Sequence, residues 1–290
     1  MATQDITPSE PSRLATIWSR VAGNKTFFVG LVLFVVILFA ALFAPLISTH
    51  DPLKIDFGAK LVAPGSEHWF GTDELGRDLY SRVVYGTRTS LMIGVVVTLL
   101  AVAIGAPIGL IAGYEGGRLG FWLMRFTDVF IAFPPLLLPI AITAALGQGL
   151  YEAMLALSIS AFPWYSRIVY SEAKRVSKSL YVQSARASGF SHFRILTKHM
   201  LPNCWTPAIT QASMDFGYTI LAAASLSFIG IGAKEPDIEW GLMVATSRTK
   251  FLDYWWVAMV PGLAILVTVF ALNLLGDGVR DLLDPKGDSK

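Results

Sequence analysis

Three uninterrupted apolar runs constrain this chain more than any other feature. Residues 27–47, 91–113 and 254–276 contain no Asp, Glu, Lys or Arg. Each is long enough to cross the hydrocarbon core of a bilayer as a helix, which takes about 20 residues. The runs are continuous and do not alternate with polar residues, which argues against a transmembrane β-barrel. The pattern therefore indicates an all-α, polytopic membrane protein.

Three weaker runs complete the set. Residues 129–147 hold three prolines, which neighbouring helices can accommodate, so we expect a kinked but spanning helix. Residues 207–231 are interrupted once, by Asp215, and residues 153–170 carry Arg167 in the last turn, where it can snorkel. With 54% hydrophobic and 15% charged residues, a soluble fold would lack the polar surface to cover six such segments. The sequence predicts six transmembrane helices.

The distribution of Lys and Arg predicts the orientation. With the N-terminus inside, the cytoplasmic segments hold 15 of these residues and the external segments hold 8. Basic residues concentrate on the cytoplasmic side of membrane proteins, so we expect both termini to be cytoplasmic. The excess depends mainly on residues 166–206, which hold seven of the 15.

These assignments divide the chain into five parts. A cytoplasmic tail (1–26) precedes the first transmembrane helix (27–47), which is too long for the apolar region of a signal peptide. An extracytoplasmic loop with an interfacial helix follows (48–90). A core of five transmembrane helices (91–276) precedes a C-terminal cytoplasmic tail (277–290).

A basic segment between the fourth and fifth spans is the main candidate for a partner-binding surface. Residues 171–202, together with the preceding turn from residue 167, carry seven basic side chains and one acid, Glu172. The segment is polar and prone to form helix, and Gly189 lies in its middle. This pattern predicts two short helices around a turn on the cytoplasmic side.

A stripe of small residues marks the second span. Ala101, Gly105, Gly109 and Gly113 recur at every fourth position, so they lie on one helix face. Such a stripe allows a second helix to approach backbone to backbone. Packing is favoured over the alternative, in which the stripe lines a pathway.

Three charged residues lie in or near the predicted spans. Arg125 and Asp128 are three residues apart and share a helix face, and the carboxylate of Asp128 is expected near a helix N-terminus. An ion pair is favoured over a proton relay. Asp215 is costly inside a membrane unless it is paired or hydrated. It faces either a water-filled pathway or the cytoplasmic boundary.

The sequence contains none of the common catalytic motifs. It has no phosphate-binding loop, no zinc-protease motif and no nucleophile elbow. Cys204 is the single cysteine, so an internal disulfide and a multi-cysteine metal site are excluded. His192 and His199 alone make a poor metal site. The chain is therefore not expected to be an enzyme, and its work would be driven by a gradient or by a nucleotide-hydrolysing partner.

Residues 181–189 read Tyr-Val-Gln-Ser-Ala-Arg-Ala-Ser-Gly, and residues 200–203 read Met-Leu-Pro-Asn. This segment resembles the "EAA" loop of ABC-transporter permeases. That pattern is Glu-Ala-Ala, three residues, Gly, and later a hydrophobic residue followed by Leu-Pro; here Gln replaces Glu and Ser replaces the first Ala. In this family the loop sits in a groove of a cytoplasmic ATPase. The resemblance assigns coupling to the ATPase to Gln183, Ser184, Ala185, Gly189, Leu201 and Pro202.

Three further motifs are similar to those of the second, or "C", permease subunit of dipeptide and oligopeptide importers. They occupy residues 71–91, 224–241 and 271–286. The resemblance implies a MetI-like permease core with an extra N-terminal helix, in the lipid of a bacterial inner membrane. It also implies that this chain forms half of a translocation pathway.

The same resemblance implies the partners. These are a second homologous permease, two ATPases that carry ATP and Mg, and an extracytoplasmic solute-binding protein; no nucleic acid and no cofactor are expected in this chain. The substrate stays open among dipeptides, oligopeptides, glutathione, nickel chelates, and opine or sugar conjugates. A proton-coupled secondary transporter using Asp128 and Asp215 is the alternative, and a membrane scaffold is a third.

Overall fold

A computed structural model describes residues 25–283 of the chain. The predicted N-terminal tail, apart from its last two residues, and the last seven residues of the predicted C-terminal tail lie outside the described residues. Within residues 25–283 the fold is all-helical, and its only β-type pairing is a single bridge between Thr72 and Asp78.

The helices are numbered here in chain order. A 3-10 turn lies between α2 and α3, and a π-helical stretch lies between α8 and α9. The elements are α1 (Lys25–Leu42), α2 (Ala44–Ile47), the 3-10 turn (Phe57–Ala59), α3 (Leu79–Glu115), α4 (Gly117–Ile131), α5 (Leu137–Leu146), α6 (Leu150–Val176), α7 (Leu180–Ala187), α8 (His192–Arg194), the π-helical stretch (Ile195–Met200), α9 (Leu201–Ile229), α10 (Trp240–Ser247) and α11 (Trp255–Leu283).

Four helical segments in the described part of the chain are long and apolar enough to cross a membrane. They are α1, α3, the continuous helix from α8 through α9, and α11. Helix α1 packs closely along α11. A Cβ added to Gly30 would lie only 2.7 Å from the Cβ of Leu274. The all-helical membrane architecture predicted from the apolar runs is therefore present.

The predicted kinked span over residues 129–147 is not one helix. Helix α4 ends at Ile131 and α5 begins only at Leu137, with Pro134 and Pro135 in the gap. Proline has no N–H to donate and disfavours helical geometry at the preceding residue. Two adjacent prolines therefore end one helix, and the chain restarts in another.

The boundary expected at residue 90 is likewise absent from the backbone. Where the sequence suggested an interfacial helix followed by a separate span, α3 runs unbroken over 37 residues. At 1.5 Å per residue it is about 55 Å long, well beyond a hydrocarbon core of about 30 Å. Its first turns therefore extend past the apolar layer as part of the same helix.

The most extensive helix contact in the fold joins α3 to α6. A Cβ on Gly105 would lie 2.3 Å from the carbonyl oxygen of Phe162, and one on Gly109 would lie 2.2 Å from that of Ser166. Any side chain at these positions would collide with the α6 backbone. The small-residue stripe therefore packs helices together, as the sequence favoured.

A loop cap, formed by residues 48–78 and 233–239, covers the start of α3. The guanidinium of Arg77 donates to Glu235 at 2.9 and 3.0 Å and to Asp73 at 2.6 Å. The pKa of Arg77 is raised: burial would lower it, but the two carboxylates outweigh that effect. The buried guanidinium of Arg77 is thus paired inside the chain.

Asp78 holds the first turn of α3. Its Oδ2 accepts from the backbone N and the hydroxyl of Ser81, at 2.8 and 2.7 Å, and its Oδ1 lies 2.9 Å from Nδ1 of His68. Burial would raise the pKa of Asp78, yet these hydrogen bonds keep it below its usual range. The side chain acts as an N-cap, which satisfies otherwise unpaired N–H groups.

Candidate functional site

The basic segment folds into a helix–turn–helix that we call the knob (residues 177–200). Helix α7 ends before Gly189, whose φ is +74°, and a Cβ there would meet nothing within 4 Å. The left-handed backbone, and not a lack of space, is what favours glycine. The turn predicted at Gly189 is therefore present.

The second half of the knob differs from the prediction of a short helix. Helix α8 passes through the π-helical stretch directly into α9, so residues 192–229 form one continuous helix. Leu201 and Pro202 stand where the π-helical stretch passes into α9. Any movement of the knob therefore acts directly on a long apolar helix.

The knob is fastened to the end of α3. The guanidinium of Arg186 lies 4.2 Å from the ring centroid of Tyr114 and donates to its carbonyl oxygen at 3.1 Å. Nδ1 of His192 lies 3.0 Å from a carboxylate oxygen of Glu115. Val182 is fully buried in the core beneath these contacts. The knob is thus attached to α3 and continuous with α9.

The opposite side of the knob is exposed and mixes apolar with basic groups. Leu180 is 81% exposed and Phe193 is 76% exposed, and the side chains of Lys178, Arg194 and Lys198 in the same segment are exposed as well. Large apolar side chains among charges, outside the apolar span of α9, are typical of a protein-binding surface.

The structure divides the six residues that resemble the EAA motif into two groups. Ala185 is buried and packs inward, so it positions the knob, and the apolar spacing from Val182 to Ala185 was the available signal for this. The other five are accessible at least in part: Gln183, Ser184, Gly189 and Pro202 are exposed, and Leu201 is half-buried.

Asp128 lies between two arginines at the surface. Its carboxylate is 3.3 Å from Nη1 of Arg125 and also pairs with Nη2 of Arg167. The expected position near a helix N-terminus is wrong, because α4 begins at Gly117 and Asp128 lies in its last turn. An acid is unfavourable there, and the two guanidinium groups compensate for it. Arg167 was not predicted as a partner.

Asp215 lines a cavity of about 620 Å³ between α3, α6 and α9, which Pro135 and Pro139 also line. Its carboxylate accepts hydrogen bonds from the hydroxyl of Tyr165 at 2.9 Å and from the side-chain amide of Gln211 at 2.8 Å. The side chains of Trp164 and Tyr218 also line the cavity. The arrangement places an acid, held by neutral donors, in a chamber between three long helices.

Sequence reasoning missed one further cluster, in the loop cap. His50, His68 and Asp78 bring potential ligand atoms within 4.8 Å of one another. Asp78 already serves as the N-cap of α3, and His68 contacts its Oδ1 directly. Hydrogen bonding that holds the loop to the helix accounts for this cluster.

Comparison with known proteins agrees with this architecture. Residues 105–288, more than half of the chain, match the family described as "Binding-protein-dependent transport system inner membrane component". The chain belongs to this family. Residues 12–64 match a second family model, "N-terminal TM domain of oligopeptide transport permease C". As a member of this family the chain is an inner-membrane transport component and not a catalytic subunit.

Two curated relatives span almost the whole of this inner-membrane component. The "Probable D,D-dipeptide transport system permease protein DdpC" of Escherichia coli K12 is 43% identical over 99% of this chain and 97% of its own length. The "Di/tripeptide transport system permease protein DppC" of Pseudomonas aeruginosa is 41% identical over 95% of this chain and 93% of its own.

A solved structure supports the fold. A chain from the structure titled "Inward facing conformations of the MetNI methionine ABC transporter" aligns with a TM-score of 0.57 and 19% identity. The alignment covers 70% of this inner-membrane component and 97% of that chain. The predicted MetI-like permease fold is thereby confirmed.

Proposed function

We propose that the chain is one of two permease subunits of an ATP-driven importer for dipeptides or similar small solutes. The observation that carries the proposal is the knob, whose exposed apolar and basic face has no use within the described chain. The names of the two curated relatives, both peptide transport permeases, support the substrate class.

The topology of the proposal has six spans with both termini cytoplasmic. Helices α1, α3, α6, α9 and α11 each cross, and α4 with α5 forms a broken sixth crossing. This arrangement puts the knob inside and the loop cap outside. The excess of Lys and Arg in the segments assigned to the cytoplasm supports it. Helix α1 is then an addition to the permease core.

The partners in this assembly are a second permease, two ATPases that carry ATP and Mg, and an external solute-binding protein. An ATPase would hold the knob through Gln183, Ser184 and the exposed face around Phe193. Because the knob is continuous with α9 and fastened to α3, its displacement would move two walls of the Asp215 cavity. Rigid transmission of this kind supports alternating access.

The experiment that tests this function is uptake of a labelled dipeptide by membrane vesicles carrying the complex with its ATPases and binding protein. Uptake should require ATP, stop with vanadate, and continue when an uncoupler collapses the proton gradient. Uptake that persists without ATP and follows an imposed pH gradient would instead support the proton-coupled alternative.

A further inference from the structure

The carboxylate of Asp215 has hydrogen-bond donors but no counter-charge in the described part of the chain. Its two recorded partners, Tyr165 and Gln211, are neutral, and within residues 25–283 it forms no ion pair. An acid in an apolar region is costly unless a cation or water compensates for it. Each carboxylate oxygen retains a free lone pair for a further donor.

A second, independent feature of the cavity points to a ligand. Thr98 is only 8% exposed and lines the same cavity. Its hydroxyl has no hydrogen-bond partner within residues 25–283. A buried hydroxyl without a partner is destabilising. Its oxygen has almost no accessible surface, so a polar group in the cavity would satisfy it once the Thr98 side chain rotates toward that group.

The remaining walls suit a small organic cation. Trp164 and Tyr218 present aromatic surface in the same chamber, and aromatic faces attract ammonium groups. The volume of about 620 Å³ lies within the range of about 300–1,000 Å³ that is typical of small-ligand sites.

We propose that Asp215 binds the terminal ammonium group of a short peptide inside the membrane. The hydroxyl of Thr98 donates to a carbonyl or carboxylate oxygen of the same peptide. At neutral pH a peptide carries both groups, since its α-amino pKa is about 8. This assignment rests on the proposed importer function and names the specificity-determining residue of its pathway.

The site also links binding to the knob. Thr98 lies on α3 and Asp215 on α9, the two helices to which the knob is attached. Displacing the knob would change the separation of the two polar groups. The site would therefore hold the peptide in one state of the transporter and release it in the other.

The test uses the assembled complex in nanodiscs without its binding protein, so that selection by that protein does not interfere. Ser160, which lines the cavity, is replaced by Cys in a Cys204→Ser background, and its modification by the neutral reagent N-ethylmaleimide is timed. Alanyl-alanine should slow the modification, whereas N-acetyl-alanyl-alanine, which lacks the ammonium group, should not.

Substitutions test which side chains are responsible for the protection by alanyl-alanine. Asp215→Asn should raise the half-protecting concentration of alanyl-alanine about tenfold or more, and Thr98→Val about threefold or more. Asp215→Glu keeps the charge and should still distinguish the two peptides, and the exposed control Asp253→Asn should match the parent. Equal protection by both peptides, protection by neither, or an unchanged Asp215→Asn variant would overturn the proposal.

The proposed importer function is tested separately in the same preparation. With binding protein and ATP added, wild-type complex should take up alanyl-alanine. Uptake by wild type together with unchanged protection in Asp215→Asn would remove the ammonium site and leave the importer function intact. Should Asp215→Asn fail to assemble, an inability of the wild type and Asp215→Glu to distinguish the two peptides would still reject the site.

Discussion

The two ends of helix α3 differ in whether the groups around them find partners inside the chain. At its start, the loop cap buries the guanidinium of Arg77 and pairs it with Asp73 and Glu235 inside the chain. At its end, Tyr114 and Glu115 hold the knob, which leaves Phe193 and its basic neighbours exposed. At one end the buried guanidinium is paired inside the chain, and the other end presents groups that only a partner could cover.

This difference predicts that the start of α3 contributes to stability and that the knob at its end contributes to function. Changes in the loop cap should act on the stability of the chain, because Arg77 pairs with Asp73 and Glu235 inside it. Changes on the exposed face of the knob should act on transport, because little within the chain depends on that face. The following predictions test this division, beginning with the largest expected effect.

The largest effect is expected at the turn of the knob. Gly189→Glu adds a charged side chain where φ is +74° and where space within the chain is open, so the backbone strain should be only about 1–2 kcal/mol. The chain should still insert, yet ATP-driven uptake should fall about 100-fold or more, because the knob could no longer seat in an ATPase. Uptake and co-purification of the ATPases are the measurements.

Gly230→Glu is the matched control, since Gly230 also has positive φ and open space but lies at the far end of α9. It should carry similar strain and retain uptake. Loss of uptake in both variants would mean that the effect is not specific to the knob. Wild-type uptake in Gly189→Glu would remove the coupling role from the knob.

The second largest effect is expected where α3 packs against α6, between the two ends of α3. Gly109→Leu forces a side chain toward the Ser166 carbonyl, which already lies 2.2 Å from an added Cβ, so α3 and α6 must separate. The yield of folded protein should fall several-fold, as judged by size-exclusion chromatography. Gly262→Leu in α11, where an added Cβ meets nothing within 4 Å, should leave the yield unchanged; equal yields would contradict close packing.

A smaller loss of stability is expected in the loop cap. Arg77→Met removes the closer of the two guanidinium partners of Asp73 and leaves only Arg82, whose Nε is 3.6 Å away. It should cost about 3 kcal/mol, seen as a lower thermal midpoint of the purified protein. Lys198→Met on the exposed face of the knob should leave the midpoint unchanged and reduce ATPase stimulation by the loaded binding protein. The reverse pattern would refute the division between the two ends.

The smallest effect concerns the N-cap of α3. Asp78→Ala should cost about 0.5–2 kcal/mol at neutral pH. Because the folded pKa of Asp78 lies below its unfolded value of about 4, its contribution is complete above pH 4 and is lost as the pH falls through the folded value. The gap in thermal midpoint between wild type and variant should therefore narrow below about pH 4. A gap that widens on acidification would contradict this assignment.

Local patterns in the sequence were sufficient for several elements. The apolar runs predicted an all-helical membrane protein because a bilayer leaves the backbone few other ways to satisfy its hydrogen bonds. The spacing of Gly105 and Gly109 predicted close helix packing. Gly189 predicted the turn of the knob, since glycine favours a left-handed backbone. Each of these inferences depends on chemistry within a few turns of chain.

Only the tertiary structure decided which distant residues meet. Tyr165 reaches Asp215 across 50 residues of sequence, and Arg77 reaches Glu235 across 158, and neither pair has a periodicity that would reveal it. The continuity of α3 through residue 90 was also hidden, because a change in polarity along a helix does not interrupt its hydrogen bonds. Hydropathy records where a segment can reside, whereas the packing of helices against one another decides which side chains form a site.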